Sequence, residues 1–79
     1  MTKNEFVGKV ENGSEIMFKI GSRGFTIFNY SSGDVDIGEW GKTNTVRKFS
    51  DVESLLNKYN VNGKPLKESI GLIKITDYS

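Results

Sequence analysis

Stretches of alternating hydrophobicity recur about every ten residues along the first two thirds of the chain, separated by glycine-containing turns. Successive side chains of a strand point to opposite faces, so this alternation predicts strands that bury one face. The rhythm is typical of an antiparallel meander of about five strands, forming an open sheet or a partly closed barrel. The predicted strands are Glu5–Val10, Glu15–Ile20, Phe25–Tyr30, Val35–Trp40 and Thr45–Phe49.

The first of these turns contains Asn12 and Gly13. An Asn-Gly pair supplies the two positive φ angles of a type I′ turn at little steric cost. We therefore expect the chain to open with a β-hairpin.

A short amphipathic helix is predicted at residues 50–59. Its apolar residues follow the i, i+3, i+4, i+7 spacing of one helix face. They are Val52, Leu55, Leu56 and Tyr59. Ser50 and Glu53 have the spacing of a capping box, which marks the start of the helix. A helix this short is only marginally stable in water, and we therefore expect it to dock on the sheet.

The end of the chain combines a corner and a final strand. Pro65 can begin a single helical turn through Ser69, because its missing N–H is not needed at that position. Residues 70–76 are apolar on both sides and predict a strand inside the sheet rather than at its edge. Residues 1–79 are therefore interpreted as a single α+β domain.

The predicted elements supply enough apolar side chains for a core without a cofactor, each stabilising the fold by roughly 1.5–3 kcal/mol when fully buried. The candidates are Phe6, Val10, Ile16, Phe18, Ile20, Phe25, Ile27, Val35, Ile37, Val46, Val52, Leu55, Leu56, Tyr59, Leu66, Ile70, Ile73 and Ile75.

The composition argues against an enzyme. The chain of 79 residues has no cysteine and no histidine, which removes the commonest zinc ligands and the Ser-His and Cys-His nucleophile pairs. Asp34 and Asp36 superficially resemble a paired-carboxylate or metal site, but we interpret them as turn and solvent-face residues. The chain has no phosphate-binding glycine motif, and its sequence indicates no small-molecule substrate. The longest apolar runs are too short for a membrane span or a signal peptide, which favours a cytoplasmic protein without membrane association.

Four apolar or aromatic residues fall on the face opposite the predicted core. They are Met17, Phe28, Tyr30 and Trp40. If the helix covers only one face of the sheet, these side chains form an exposed surface of residue types that are enriched in interfaces. The leading hypothesis is therefore a non-enzymatic module that binds a protein partner or a second copy of itself. The competing interpretation is that a coiled sheet or barrel buries them.

The alternative function is binding of single-stranded nucleic acid. Trp40 is accompanied by Lys42, Arg47 and Lys48, and exposed aromatics beside cations can stack bases and hold phosphates. A formal net charge of +1 gives no concentrated positive field for such binding. Packing of Trp40 in a minor second core is the competing interpretation.

The last third of the chain resembles the ending of many short, uncharacterised proteins encoded by prophages and mobile elements of low-GC Gram-positive bacteria. The resemblance is carried by residues 48–57 and 61–70, which contain the predicted cap and corner. It implies no catalytic residues. What it implies is a context in which small phage-borne proteins bind and modulate a host or phage macromolecule, including as inhibitors of host defence enzymes.

Overall fold

The computed structural model describes all 79 residues and contains a five-stranded antiparallel sheet with helices against one face. The elements in chain order are α1 Lys3–Asn12, β1 Glu15–Ile20, β2 Arg23–Asn29, β3 Val35–Glu39, β4 Lys42–Phe49, α2 Val52–Lys58, β5 Asn60–Val61, β6 Lys64–Pro65, a 3-10 helix Leu66–Leu72 and β7 Ile73–Tyr78. The strand order in the main sheet is β4-β3-β2-β1-β7, and β5 pairs with β6 in a separate ribbon. The predicted α+β class is confirmed, and the sheet is open rather than closed.

The core lies between the inner face of this sheet and the helices. Ile27 of β2 stands opposite Ile16 of β1 and Ile37 of β3, which places one apolar row across three strands. The Phe18 ring stacks on Phe25 at a centroid distance of 5.3 Å. All predicted core residues are buried except Val46, which is exposed, and Tyr59 and Ile75, which are half-buried. The buried Val61 was not among the predicted core residues.

The prediction of a first strand at Glu5–Val10 is wrong, because these residues form most of α1. Thr2 caps the helix: the Glu5 N–H donates to Thr2 Oγ1 at 3.2 Å, and the Thr2 N–H donates to Glu5 Oε1 at 2.9 Å. Phe6 and Val10 share one face and are both buried. Residues four apart lie on one side of either a helix or a strand, so their spacing alone does not separate the two.

The predicted opening β-hairpin at Asn12 and Gly13 is also absent. Gly13 is the C-cap of α1, with φ at −110°, and its N–H donates to the Lys9 carbonyl. A type I′ turn would need positive φ at both of its central residues. The chain therefore passes directly from α1 into β1.

The predicted helix is confirmed, with α2 at Val52–Lys58. Its cap is Asp51 rather than Ser50, because Asp51 Oδ1 accepts a hydrogen bond from the Ser54 N–H at 2.7 Å. Val52, Leu55 and Leu56 are buried as predicted, whereas Tyr59 lies at the C-cap and is half-buried.

The turn at Pro65 is confirmed and extends beyond Ser69, since the 3-10 helix continues to Leu72. The expectation that the final strand is internal is wrong: β7 pairs only with β1 and forms an edge. Leu72 ends the 3-10 helix and is 67% exposed. The two strand residues Ile73 and Ile75 lie two apart and share the inner face, so the strand has one apolar side rather than two.

Candidate functional site

The outer face of the sheet, opposite the helices, carries the residues that the sequence singles out for partner binding. The outward side chains lie between the buried positions of β1, β2 and β3. Phe28 is 43% exposed, Tyr30 46% and Trp40 41%, while Met17 is half-buried. We call these four residues the aromatic patch. The structure brings them together on one face, with three rings in contact with solvent.

Trp40 is held in one orientation by its neighbours. It lies in the turn between β3 and β4, where Gly41 adopts a φ of 78°. The Trp40 N–H donates to the Gly24 carbonyl at 2.9 Å, and its indole Nε1 donates to Thr26 Oγ1 at 2.9 Å. The ring therefore lies along β2, over Gly24 and Thr26.

A shallow groove of about 330 Å³ runs beside this ring. Phe28, Trp40 and Val46 contribute its apolar side chains, and Gly38 leaves room between them. A β-carbon at residue 38 would lie 3.0 Å from Val46 Cγ2, so a larger residue would fill this space. Val46 is 56% exposed, which overturns its predicted place in the core. In the register with β3, Arg47 stands opposite the inward Ile37, so Val46 points outward.

A polar cluster borders the groove. The Tyr30 hydroxyl donates to Asp36 Oδ2 at 3.0 Å, and this hydrogen bond raises the pKa of Tyr30. Lys48 Nζ lies 5.5 Å from the centroid of the Tyr30 ring. Asp36 Oδ1 is buried and has no hydrogen-bond partner.

The residues of the nucleic-acid alternative do not form one surface. Lys48 stands opposite Asp36 in the sheet and shares the outer face with Trp40, whereas Arg47 stands opposite Ile37 and points toward the helices. Lys42 lies at the end of the sheet, with Nζ 3.7 Å from Glu39 Oε2. The alternation of side chains along β4 separates the two neighbouring cations.

The two aspartates considered as a metal site have separate surroundings. Asp34 lies in the turn before β3, where its N–H donates to Ser32 Oγ at 3.4 Å, while Asp36 belongs to the cluster with Tyr30. No group of three or more Asp, Glu, His or Cys residues is placed to hold a metal ion. None of the helices combines the length and hydrophobicity needed to cross a membrane.

Comparison with known proteins gives no relatives: no protein-family model matches the chain, and neither a curated protein nor a solved structure matches it.

Proposed function

We propose that this chain is a small, non-enzymatic binding module that docks on a protein partner through the aromatic patch, a second copy of the chain being one form of that partner. The observation that carries the proposal is the exposure of Phe28, Tyr30 and Trp40 on a sheet face that the helices leave uncovered. Monomeric proteins rarely expose large contiguous apolar surfaces without a use.

The patch has the properties of an interface centre. Aromatic side chains and Met are enriched where partners bind, and a few buried anchors supply most of the binding free energy. The hydrogen bond from the Trp40 indole Nε1 to Thr26 Oγ1 and the packing of the ring on Gly24 fix the ring before any partner arrives. Less side-chain entropy is then lost on association than for a freely rotating ring.

The groove gives the patch a specific shape. Its apolar walls, formed by Phe28, Trp40 and Val46, suit an apolar side chain of a partner. The resemblance expected from residues 48–57 and 61–70, to short prophage proteins, implies the same kind of role, namely binding to a host or phage macromolecule.

The nucleic-acid alternative has less support. Arg47 and Lys48 lie on opposite faces of β4, so a strand stacked on Trp40 would reach only one of them. A weak dependence of oligonucleotide binding on salt would follow, because the slope scales with the number of phosphates contacted.

The proposal is tested with Phe28→Ser and a matched control, Leu72→Ser. Both replace an exposed large apolar side chain, but Leu72 belongs to the 3-10 helix and not to the outer face of the sheet. Sedimentation equilibrium at up to roughly 1 mM protein, a concentration that detects Kd values of that order, measures self-association. If a second copy is the partner, Phe28→Ser removes the dimer and Leu72→Ser retains it.

If the chain remains monomeric, a photo-crosslinking amino acid is placed at residue 28 or 72 of the full chain in the source cells. We expect one discrete adduct from residue 28 and none from residue 72. A monomeric chain with no adduct specific to residue 28 would refute the proposal.

A further inference from the structure

A second concave site lies on the inner face of the sheet, between β4 and the C-terminal end of α2, with a volume of about 420 Å³. We call it the basic pocket. Its cationic side chains come from four separate positions in the chain: Arg23, Lys42, Arg47 and Lys58. It is as large as common small-molecule sites, which span roughly 300–1,000 Å³.

The positive charge of the chain is concentrated there. Four cations and the single carboxylate of Glu39 leave a formal charge of +3 in the pocket. The other seven cations and nine anions leave −2 on the rest of the chain, whose total is +1. A concave site of one charge sign focuses the field and attracts ligands of the opposite sign.

The internal ion pair of the pocket leaves two cations free. Arg23 binds both carboxylate oxygens of Glu39, with Nε to Oε2 at 2.8 Å and Nη2 to Oε1 at 2.7 Å. This pairing lowers the pKa of Glu39, so the carboxylate stays ionised. Its negative charge is paired with Arg23 and with the more distant Lys42. Neither Arg47 nor Lys58 forms an ion pair. Both are therefore available to an anion.

Neutral groups complete the lining. Asn44 and Asn60 line the pocket, and the rings of Phe49 and Tyr59, which also line it, meet edge to face at 6.5 Å. Burial raises the pKa of Tyr59, so its hydroxyl stays protonated and can donate. Cations and donors are suited to phosphate oxygens, while the aromatic rings are suited to a flat apolar group.

We propose that the basic pocket binds a small organic phosphate of mononucleotide size, its phosphate on Arg47 and Lys58 and its ring against Phe49 and Tyr59. Because the pocket is concave and lies on the inner face of the sheet, it suits a free ligand better than a continuous strand. The two phosphate-binding residues, Arg47 and Lys58, do not line the outer groove, so the failure of one proposal leaves the other intact.

The test is a titration of the isotopically labelled chain with inorganic pyrophosphate, a nucleoside 5′-diphosphate and an oligothymidylate, followed by amide NMR shifts at low salt. We expect the diphosphate to bind most tightly and to shift the side-chain amide signals of Asn44 and Asn60. Arg47→Gln and Lys58→Gln should each weaken binding roughly tenfold, the loss of one charge-assisted hydrogen bond. Lys48→Gln is the matched control, since it removes the same charge from the next residue but on the outer face.

If Lys48→Gln binds the diphosphate as tightly as the unsubstituted chain while Arg47→Gln and Lys58→Gln bind it more weakly, the phosphate site in the basic pocket is supported. The absence of shifts with any of the three ligands would overturn it, as would equal losses in all three variants. Tighter binding of the oligothymidylate than of the diphosphate would also overturn it, because the site would then serve a nucleic-acid strand.

Discussion

The indole of Trp40 covers Gly24 so closely that a β-carbon at residue 24 would overlap the ring. The glycine is therefore a packing requirement of the outer face rather than a turn residue. It allows the ring to lie along β2 and reach Thr26 Oγ1. The shape of the proposed binding surface depends on this missing side chain.

We predict that Gly24→Ala displaces the Trp40 ring and breaks its hydrogen bond to Thr26. Because Trp40 is the only tryptophan, its fluorescence reports this change, and a red-shifted emission is expected. Gly71→Ala is the control, since a β-carbon there meets no atom within 4 Å. Unchanged emission in Gly24→Ala would contradict the packing described.

The helical state of the first segment predicts opposite effects for two substitutions. Gly8→Ala should stabilise the fold by about 0.5–1 kcal/mol, because alanine loses less entropy in a helix and the site is open. Phe6→Ala should destabilise it by about 3–5 kcal/mol, because the ring is fully buried. Urea unfolding measures both. Amide hydrogen exchange separates the helix from a strand: a helix protects a continuous run of amides, whereas an edge strand at residues 5–10 would protect every second one.

The apolar residues of most elements could be predicted from the sequence, but the first segment carries competing signals for a helix and a strand. Burial of Phe6 and Val10 follows from their hydrophobicity in either structure. The choice of helix depends on the cap at Thr2, whose pairing with Glu5 has the capping-box spacing. This capping-box spacing is visible in the sequence, but the Asn12-Gly13 pair is a competing signal because it is typical of a hairpin turn.

The cap of α2 gives a direct comparison between two neighbouring residues. Asp51→Ala should lower the midpoint of thermal unfolding, because the Ser54 N–H loses its acceptor. Ser50→Ala should leave the midpoint nearly unchanged, since Ser50 makes no capping hydrogen bond. Thermal unfolding of both variants is followed by circular dichroism. A larger decrease of the midpoint for Ser50→Ala than for Asp51→Ala would show that Ser50 is the cap, as the sequence predicted.

The ion pair between Arg23 and Glu39 predicts a pH dependence of stability. The pKa of Glu39 lies below its ordinary value of 4.5 because Arg23 donates to the carboxylate. The pair therefore stabilises the fold fully above that value, and the contribution is lost as the pH falls through the lowered pKa. Glu39→Gln should reduce the free energy of unfolding at neutral pH. It should also make the loss of stability with falling pH less steep.

Urea unfolding at a series of pH values from about 3 to 7 tests this linkage. The pKa values of Glu5 and Asp51 are lowered by hydrogen bonds from Thr2 and from the Ser54 backbone, so some acid dependence should remain in the variant. Parallel curves for Glu39→Gln and the unsubstituted chain would show that the pair does not act as described.

The candidate sites were predictable only where they follow strand alternation. That alternation places Met17, Phe28 and the ring of Tyr30 on one face, as predicted. The groove beside Trp40 was missed because Val46 was assigned to the core. It belongs to β4, a mostly polar edge strand whose sequence carries no strong signal for its register. The basic pocket was missed because its cations are distant in sequence and meet only through tertiary packing.

The central claim is that the helices cover one face of the sheet and leave the aromatic patch open. Broadening of the aromatic NMR signals by a soluble paramagnetic probe tests it most directly in the free chain. The rings of Phe28, Tyr30 and Trp40 should broaden strongly, while those of Phe6, Phe18 and Phe25 stay protected. Equal protection of both groups of rings would contradict the account.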